Sequence, residues 1–189
     1  MSSKLFVLIC TAAAFSFFAF TKYAPADDNK SFGYIGTKAC GMCHNKEKDG
    51  AQLKIWENSR HAKAYETLNS EEANKISNEL YGKKAIEADE CLVCHASGFD
   101  VDAALIGKKF KLEDGVQCET CHGPGSEYKS LKIMKDREQS VANGLKIYNT
   151  EAEVEKFCIT CHNEESPTYV AFNFKEMWQQ ISHYIPEKN

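Results

Sequence analysis

Cys40-Gly41-Met42-Cys43-His44, Cys91-Leu92-Val93-Cys94-His95, Cys118-Glu119-Thr120-Cys121-His122 and Cys158-Ile159-Thr160-Cys161-His162 repeat one pattern, Cys-x-x-Cys-His, along 189 residues. This is the attachment signature of a c-type haem. Two thiols form thioethers with the haem vinyl groups, and the adjacent histidine becomes the proximal iron ligand. The pattern predicts four covalently bound haem c groups. They are held by Cys40, Cys43, Cys91, Cys94, Cys118, Cys121, Cys158 and Cys161, with His44, His95, His122 and His162 as proximal ligands. Zinc competes for Cys-x-x-Cys pairs but needs no histidine directly after the second cysteine. With 6 histidines in the chain, a chance histidine after all four pairs has a probability on the order of one in a million.

The eight motif cysteines leave only Cys10, so no pair remains for a structural disulfide. Cys10 lies in an N-terminus that reads as a secretory signal. Lys4 supplies the positive end, Leu5 to Phe20 the apolar stretch, and Ala24-Pro25-Ala26 the cleavage site. The apolar run falls short of the roughly 20 residues of a spanning helix, although an uncleaved anchor stays open. Large residues at Leu8 and Ile9 argue against lipidation of Cys10. Haem attachment to such motifs takes place outside the cytoplasm, so signal and motifs agree on a periplasmic or otherwise exported protein. The expected organisation is a signal peptide over 1–26 and a single haem-bearing domain over 27–189. About 41 residues per haem are too few for four separate protein cores. The haems are therefore expected to form much of the interior.

Removing residues 1–26 takes away Lys4 and Lys22 and no acid. That leaves 21 basic and 27 acidic side chains, a net charge of −6. This charge disfavours nucleic acid and suits a redox partner with a basic docking face.

Between the motifs the pattern is mainly helical with long loops. Leu53, Trp56, Arg60, Ala64 and Leu68 recur near helical spacing, which predicts a helix from Lys46 to Leu68. Ser70-Glu71-Glu72 predicts a capped helix ending near Tyr81-Gly82. Residues 99–117 read as a loop with a short strand at 109–112. Gly123-Pro124-Gly125 demands a turn. Thr150-Glu151-Ala152-Glu153 is a capping box opening the helix that carries the fourth motif. A last helix is expected from Phe174 to Tyr184, with Phe174, Met177, Trp178 and Ile181 on one face and Pro186 as its stop.

Beyond the four proximal ligands, only His61 and His183 remain for the distal sides of the irons. His61 shares a helical face with Ala64, Tyr65 and Leu68, so it points to an interior and a distal ligand role. His183 lies opposite the aromatic stripe on a helical wheel, which suits either solvent or a second haem face. Met134 and Met177 are possible ligands, but a thioether in an apolar setting is more often a gap-filler. At least one open or weakly ligated iron is expected.

Several segments resemble the tetrahaem cytochrome c-554 family. They are Tyr34-Ile35-Gly36, Trp56 with Ser59-Arg60-His61-Ala62, Gly115-Val116-Gln117 leading into Cys118 to Ser126, Phe157-Cys158, and Phe172 to His183. The best-known member accepts electrons from hydroxylamine oxidoreductase and passes them towards the membrane. The resemblance implies a mainly helical fold with haems in close stacked pairs. It implies His61 as distal ligand of the fourth haem, His183 as distal ligand of the third, and a five-coordinate second haem at His95. The family histidine that follows the Gly-Pro-Gly turn and serves the first haem is missing here. Tyr128, Lys132 or Met134 stands in for it, or that iron is open.

An electron carrier between a redox enzyme and a respiratory-chain acceptor is the expected function, with no catalytic residue assigned. Two alternatives are a small nitrogen-oxide or peroxide reductase acting at an open iron, and a haem subunit held to a membrane complex by the N-terminal segment. The first is weakened because no Cys-x-x-Cys-Lys variant and no spare histidine for proton transfer are present.

Overall fold

The computed structural model describes residues 31–184. The segment expected to be a signal, Cys10 and Pro186 lie outside the described residues. Ten short α-helices carry the fold among the described residues: α1 (Thr37–His44), α2 (Gln52–Glu57), α3 (Ala64–Thr67), α4 (Glu71–Tyr81), α5 (Asp89–His95), α6 (Cys118–His122), α7 (Leu131–Met134), α8 (Arg137–Ala142), α9 (Glu151–Cys158) and α10 (Phe174–Ile181). The only sheet-like contact among the described residues is an isolated parallel bridge between Tyr34 and Ile106. The fold is mainly α, and no helix among the described residues is long and apolar enough to cross a membrane.

The helix expected over Lys46 to Leu68 is broken into four pieces. A 3₁₀ turn at Glu47–Asp49 is followed by α2, then a 3₁₀ turn at His61–Lys63 and α3. Two local causes are visible. Gly50 and Ala51 both take the left-handed region, φ 103° and 49°, which ends any right-handed helix there. Further on, the His61 carbonyl accepts a hydrogen bond from Val116 N–H at 3.0 Å, and Trp56 Nε1–H donates to the Val116 carbonyl at 2.7 Å. The chain near His61 thus spends main-chain bonding on a segment far away in sequence.

Helix α4 follows its sequence signals. Ser70 Oγ accepts from Ala73 N–H at 3.1 Å, and Gly82 closes the helix at φ 69°. Residues 109–112 form no strand. Lys111 is extended, but its carbonyl accepts from Asp114 N–H at 3.2 Å and from Gln117 Nε2–H at 2.7 Å, and Leu112–Asp114 make a 3₁₀ turn. The last helix stops at Ile181, short of Tyr184. Ser182 turns extended while its N–H still bonds the Trp178 carbonyl at 2.8 Å. His183 is therefore off the helix, and its wheel position is not meaningful.

The fully buried apolar cluster is small. Leu68, Ala85, Leu92 and Ala96 form it, with Tyr65, Ile86, Phe99 and Leu112 packed around. It sits beneath α5 and so braces the second motif. Residues 115–117 tie the motifs together. Ser97 N–H donates to the Gly115 carbonyl at 3.0 Å, Gln117 N–H donates to Ser97 Oγ at 2.7 Å, and Thr37 N–H reaches Gln117 Oε1 at 3.4 Å. This short stretch thereby anchors the end of α5, the start of α6 and the start of α1.

Candidate haem-attachment and ligand site

Helical geometry explains the motif spacing. Side chains three and four residues apart share a helix face, so Cys, Cys and His project from one turn. Three motifs end their helices at the histidine: α1 at His44, α5 at His95 and α6 at His122. The fourth departs from the capping-box expectation at its far end. Thr150 Oγ1 accepts from Glu153 N–H at 3.2 Å and opens α9, but the helix ends at Cys158. His162 keeps the turn through its N–H bond to the Cys158 carbonyl at 3.0 Å. The Glu153 carboxylate reaches back to Asn149 N–H, at 2.6 Å, one residue beyond the cap.

The structure brings the two spare histidines to two motif histidines. His61 and His162 have ring centres 6.1 Å apart, and His122 and His183 have ring centres 5.8 Å apart. A metal–imidazole bond of about 2.0 Å, with about 1.1 Å from nitrogen to ring centre, separates two axial rings by about 6 Å. Both pairs fit a single iron between two imidazoles. No group of three or more His, Cys, Asp or Glu among the described residues converges on a bare metal ion. Paired imidazoles of this kind are a donor set that a haem iron would take.

The ring protons are placed by their neighbours. His183 Nδ1 lies 3.0 Å from the Ile181 carbonyl, and His95 Nδ1 lies 2.8 Å from the Ala64 carbonyl. A carbonyl only accepts, so Nδ1 carries the proton and Nε2 keeps its lone pair. Burial lowers the His61 pKa, with His162 adding to the effect. Burial first, then His183 and His44, brings His122 down to about 4. Partial burial and His95 lower His162. All three are thus biased to the neutral, ligating form. Phe172 stacks on His162 at 4.8 Å and backs the ring.

Contacts between motifs give an order. Cys40 and Cys118 lie close enough to act on each other, which raises the first thiol and lowers the second, and His44 lies close enough to bear on His122. Cys121 is pushed up to about 11, by burial first and then by Cys158. Cys94 and Cys161 likewise act on each other, raising the first and lowering the second to about 6, and His95 bears on His162. The attachment sites are therefore neighbours in the order first, third, fourth, second. Tyr128 is 7 % exposed, and its hydroxyl donates to the Gly123 carbonyl at 2.7 Å with the His122 carbonyl at 3.2 Å. Burial raises its pKa further. A phenol committed to main-chain carbonyls is poorly placed to serve the first iron as phenolate.

Glu119, a variable position inside the third motif, is the polar residue that sequence reasoning missed. It is buried and accepts from the main-chain N–H groups of Ile35, Gly36 and Gly125. Its partners are backbone atoms, so no side-chain pattern announces it.

Gly115 tests the support of His61. Its φ is 72°, and a Cβ there would lie 2.6 Å from the His61 carbonyl oxygen. Gly115→Ala is expected to cost about 1–3 kcal/mol, read as a lower denaturation midpoint, and to disturb the iron signal that depends on His61. An unchanged midpoint and spectrum would show that the segment adapts freely.

A family profile described as cytochrome c554 and c-prime matches residues 39–123, which include the first three motifs. Over 139 residues the chain is 27 % identical to cytochrome c-554 of Nitrosomonas europaea, covering 68 % of this chain and 57 % of that protein. The chain thus spans less than two-thirds of the relative's length. No solved structure matches. The motifs, the mainly helical fold and both matches agree on a likeness to the cytochrome c-554 family of multihaem c-type cytochromes.

Proposed function

We propose that this c-type cytochrome is an exported carrier with four covalent haems, passing electrons between a redox enzyme and a respiratory-chain acceptor. The observation that carries this reading is the pair of opposed histidines, His61 with His162 and His122 with His183, at 6.1 and 5.8 Å. Bound haem supplies one-electron exchange between ferric and ferrous iron. The chain's own residues do the rest. The eight motif cysteines fix each group covalently, and two neutral imidazoles on one iron favour a low-spin centre that changes little between oxidation states. The neighbouring order of the attachment sites keeps them close enough to exchange electrons without a substrate pocket. The small apolar cluster also fits a domain whose haems supply much of the interior. The net negative charge expected for residues 27–189 suits donor and acceptor proteins with basic docking faces.

Mass spectrometry of the mature protein is expected to show the polypeptide plus four haem masses, and pyridine haemochrome to return four c-type haems. Fewer haems in fully matured protein, or a mass fitting zinc, would overturn the reading.

A second reading, small-ligand chemistry at the His95 iron, is favoured by one observation. Both spare histidines face other motif histidines, which leaves His95, like His44, without an opposing imidazole. Steady-state assays with nitrite, nitric oxide, hydroxylamine and peroxide separate it from carriage.

A further inference from the structure

Glu119 is a buried acid with no role in holding or ligating haem, and it is 1 % exposed. Oε1 accepts from Gly125 N–H at 2.7 Å and Ile35 N–H at 2.9 Å. Oε2 accepts from Gly36 N–H at 2.8 Å, with Ile35 N–H at 3.1 Å. Both oxygens face N–H donors. That is the environment of a carboxylate, which only accepts, and not of an acid with a proton of its own to place. None of the ion pairs among the described residues includes Glu119. Its charge is met by main-chain dipoles and not by a cation.

The location joins two attachment sites. Glu119 follows Cys118 directly in α6. Gly36, whose N–H it binds, turns its own carbonyl towards Cys40 Sγ, 3.7 Å away. The carboxylate therefore sits between the first and third motifs, where Cys40 and Cys118 already meet. In a poorly solvated interior a fixed negative charge favours the more positive ferric state of an adjacent iron, and screening by salt is weak there.

We propose that Glu119 sets the reduction potentials of the haems attached at Cys40/Cys43 and at Cys118/Cys121, holding both below the values their ligands alone would give. The inference rests on haem c occupying these motifs. Its consequence is a bias within the molecule, since electrons reside less readily at the first and third sites and more readily at the fourth and second. The same clamp tethers residues 35–36 to α6, so a structural contribution accompanies the electrostatic one, and the test must separate them.

The comparison is Glu119→Gln, which keeps the shape and removes the charge, against Glu119→Asp, which keeps the charge and shortens the reach. Haem content by pyridine haemochrome comes first, because a wild-type chain without haem would sink the proposed function and not this inference. Redox titration follows, with individual haems assigned by paramagnetic NMR. In Glu119→Gln the first and third haems are expected to favour reduction at least tenfold more, 59 mV for a one-electron couple, with smaller shifts at the other two. Glu119→Asp is expected to stay near wild type. Unchanged potentials in a fully loaded Glu119→Gln protein would overturn the proposal, as would equal shifts in both variants, which would mark the clamp geometry as the cause.

Infrared difference spectra of wild-type protein labelled with ¹³C-glutamate give a readout that does not depend on Glu119→Gln maturing. Reduction of the first and third haems is expected to perturb a carboxylate band that is missing in Glu119→Asp. A protonated-acid band in its place would overturn the proposal.

Discussion

His183→Ala and His61→Ala are each expected to convert one low-spin haem to high spin while all four thioether attachments stay intact. The expectation rests on ring pairs whose spacing fits two axial bonds to one iron, His122 with His183 and His61 with His162. Removing one imidazole takes away a strong axial donor, and alanine offers none in its place. EPR of the oxidised protein counts the two spin states directly, and haemochrome analysis confirms that attachment is unaffected. The two losses fall on different irons, so the double variant should lose two low-spin centres. The effects should differ in kind. His183 follows the end of α10 and is held locally by the Ile181 carbonyl, so its replacement is expected to act on the iron alone. His61 lies in the segment whose carbonyl bonds Val116, which connects it to the anchor of three motifs. An unchanged spin count in either variant would remove that histidine from the ligand set.

What could be read from the sequence depended on how local its physical cause was. The attachment motifs are legible because covalent chemistry needs Cys, Cys and His within one helical turn. Helix α4 is legible because Ser70 caps it and Gly82 ends it, both by contacts within its own turns. The break between α2 and α3 was hidden because part of its cause is a hydrogen bond from Val116, remote in sequence, to the His61 carbonyl. Apolar spacing over residues 46–68 was real, but it spans pieces of helix that tertiary bonding interrupts. His183 was misplaced by assuming that α10 ran on to Tyr184, whereas Ser182 is already extended. Glu119 was invisible for a different reason. A variable motif position carries no signal of its own, and its donors are main-chain groups that any residue could supply.

The iron carried by Cys91, Cys94 and His95 is expected to be high-spin and to bind cyanide or nitric oxide slowly, without fast turnover. The chain has 6 histidines, four of them in the motifs, and the remaining two face His162 and His122. His95 is well built as a proximal ligand, with Nδ1 fixed to the Ala64 carbonyl at 2.8 Å and Nε2 free. No histidine is left for its opposite side. Met42 is 69 % exposed inside the first motif and belongs to another site. Access should be slow because the second motif rests on the apolar cluster of Leu68, Ala85, Leu92 and Ala96, with Phe99 and Leu112 against it. The four buried residues of that cluster carry no acid–base group, and groups of that kind are what peroxide or nitrogen-oxide reduction requires. Binding without turnover is therefore the expected behaviour, and it separates an open iron from an active site. Four low-spin signals in the oxidised protein would overturn the first half of this expectation. Reduction of nitrite or hydroxylamine faster than about 1 per second would overturn the second, because that rate lies within the ordinary range of enzymes.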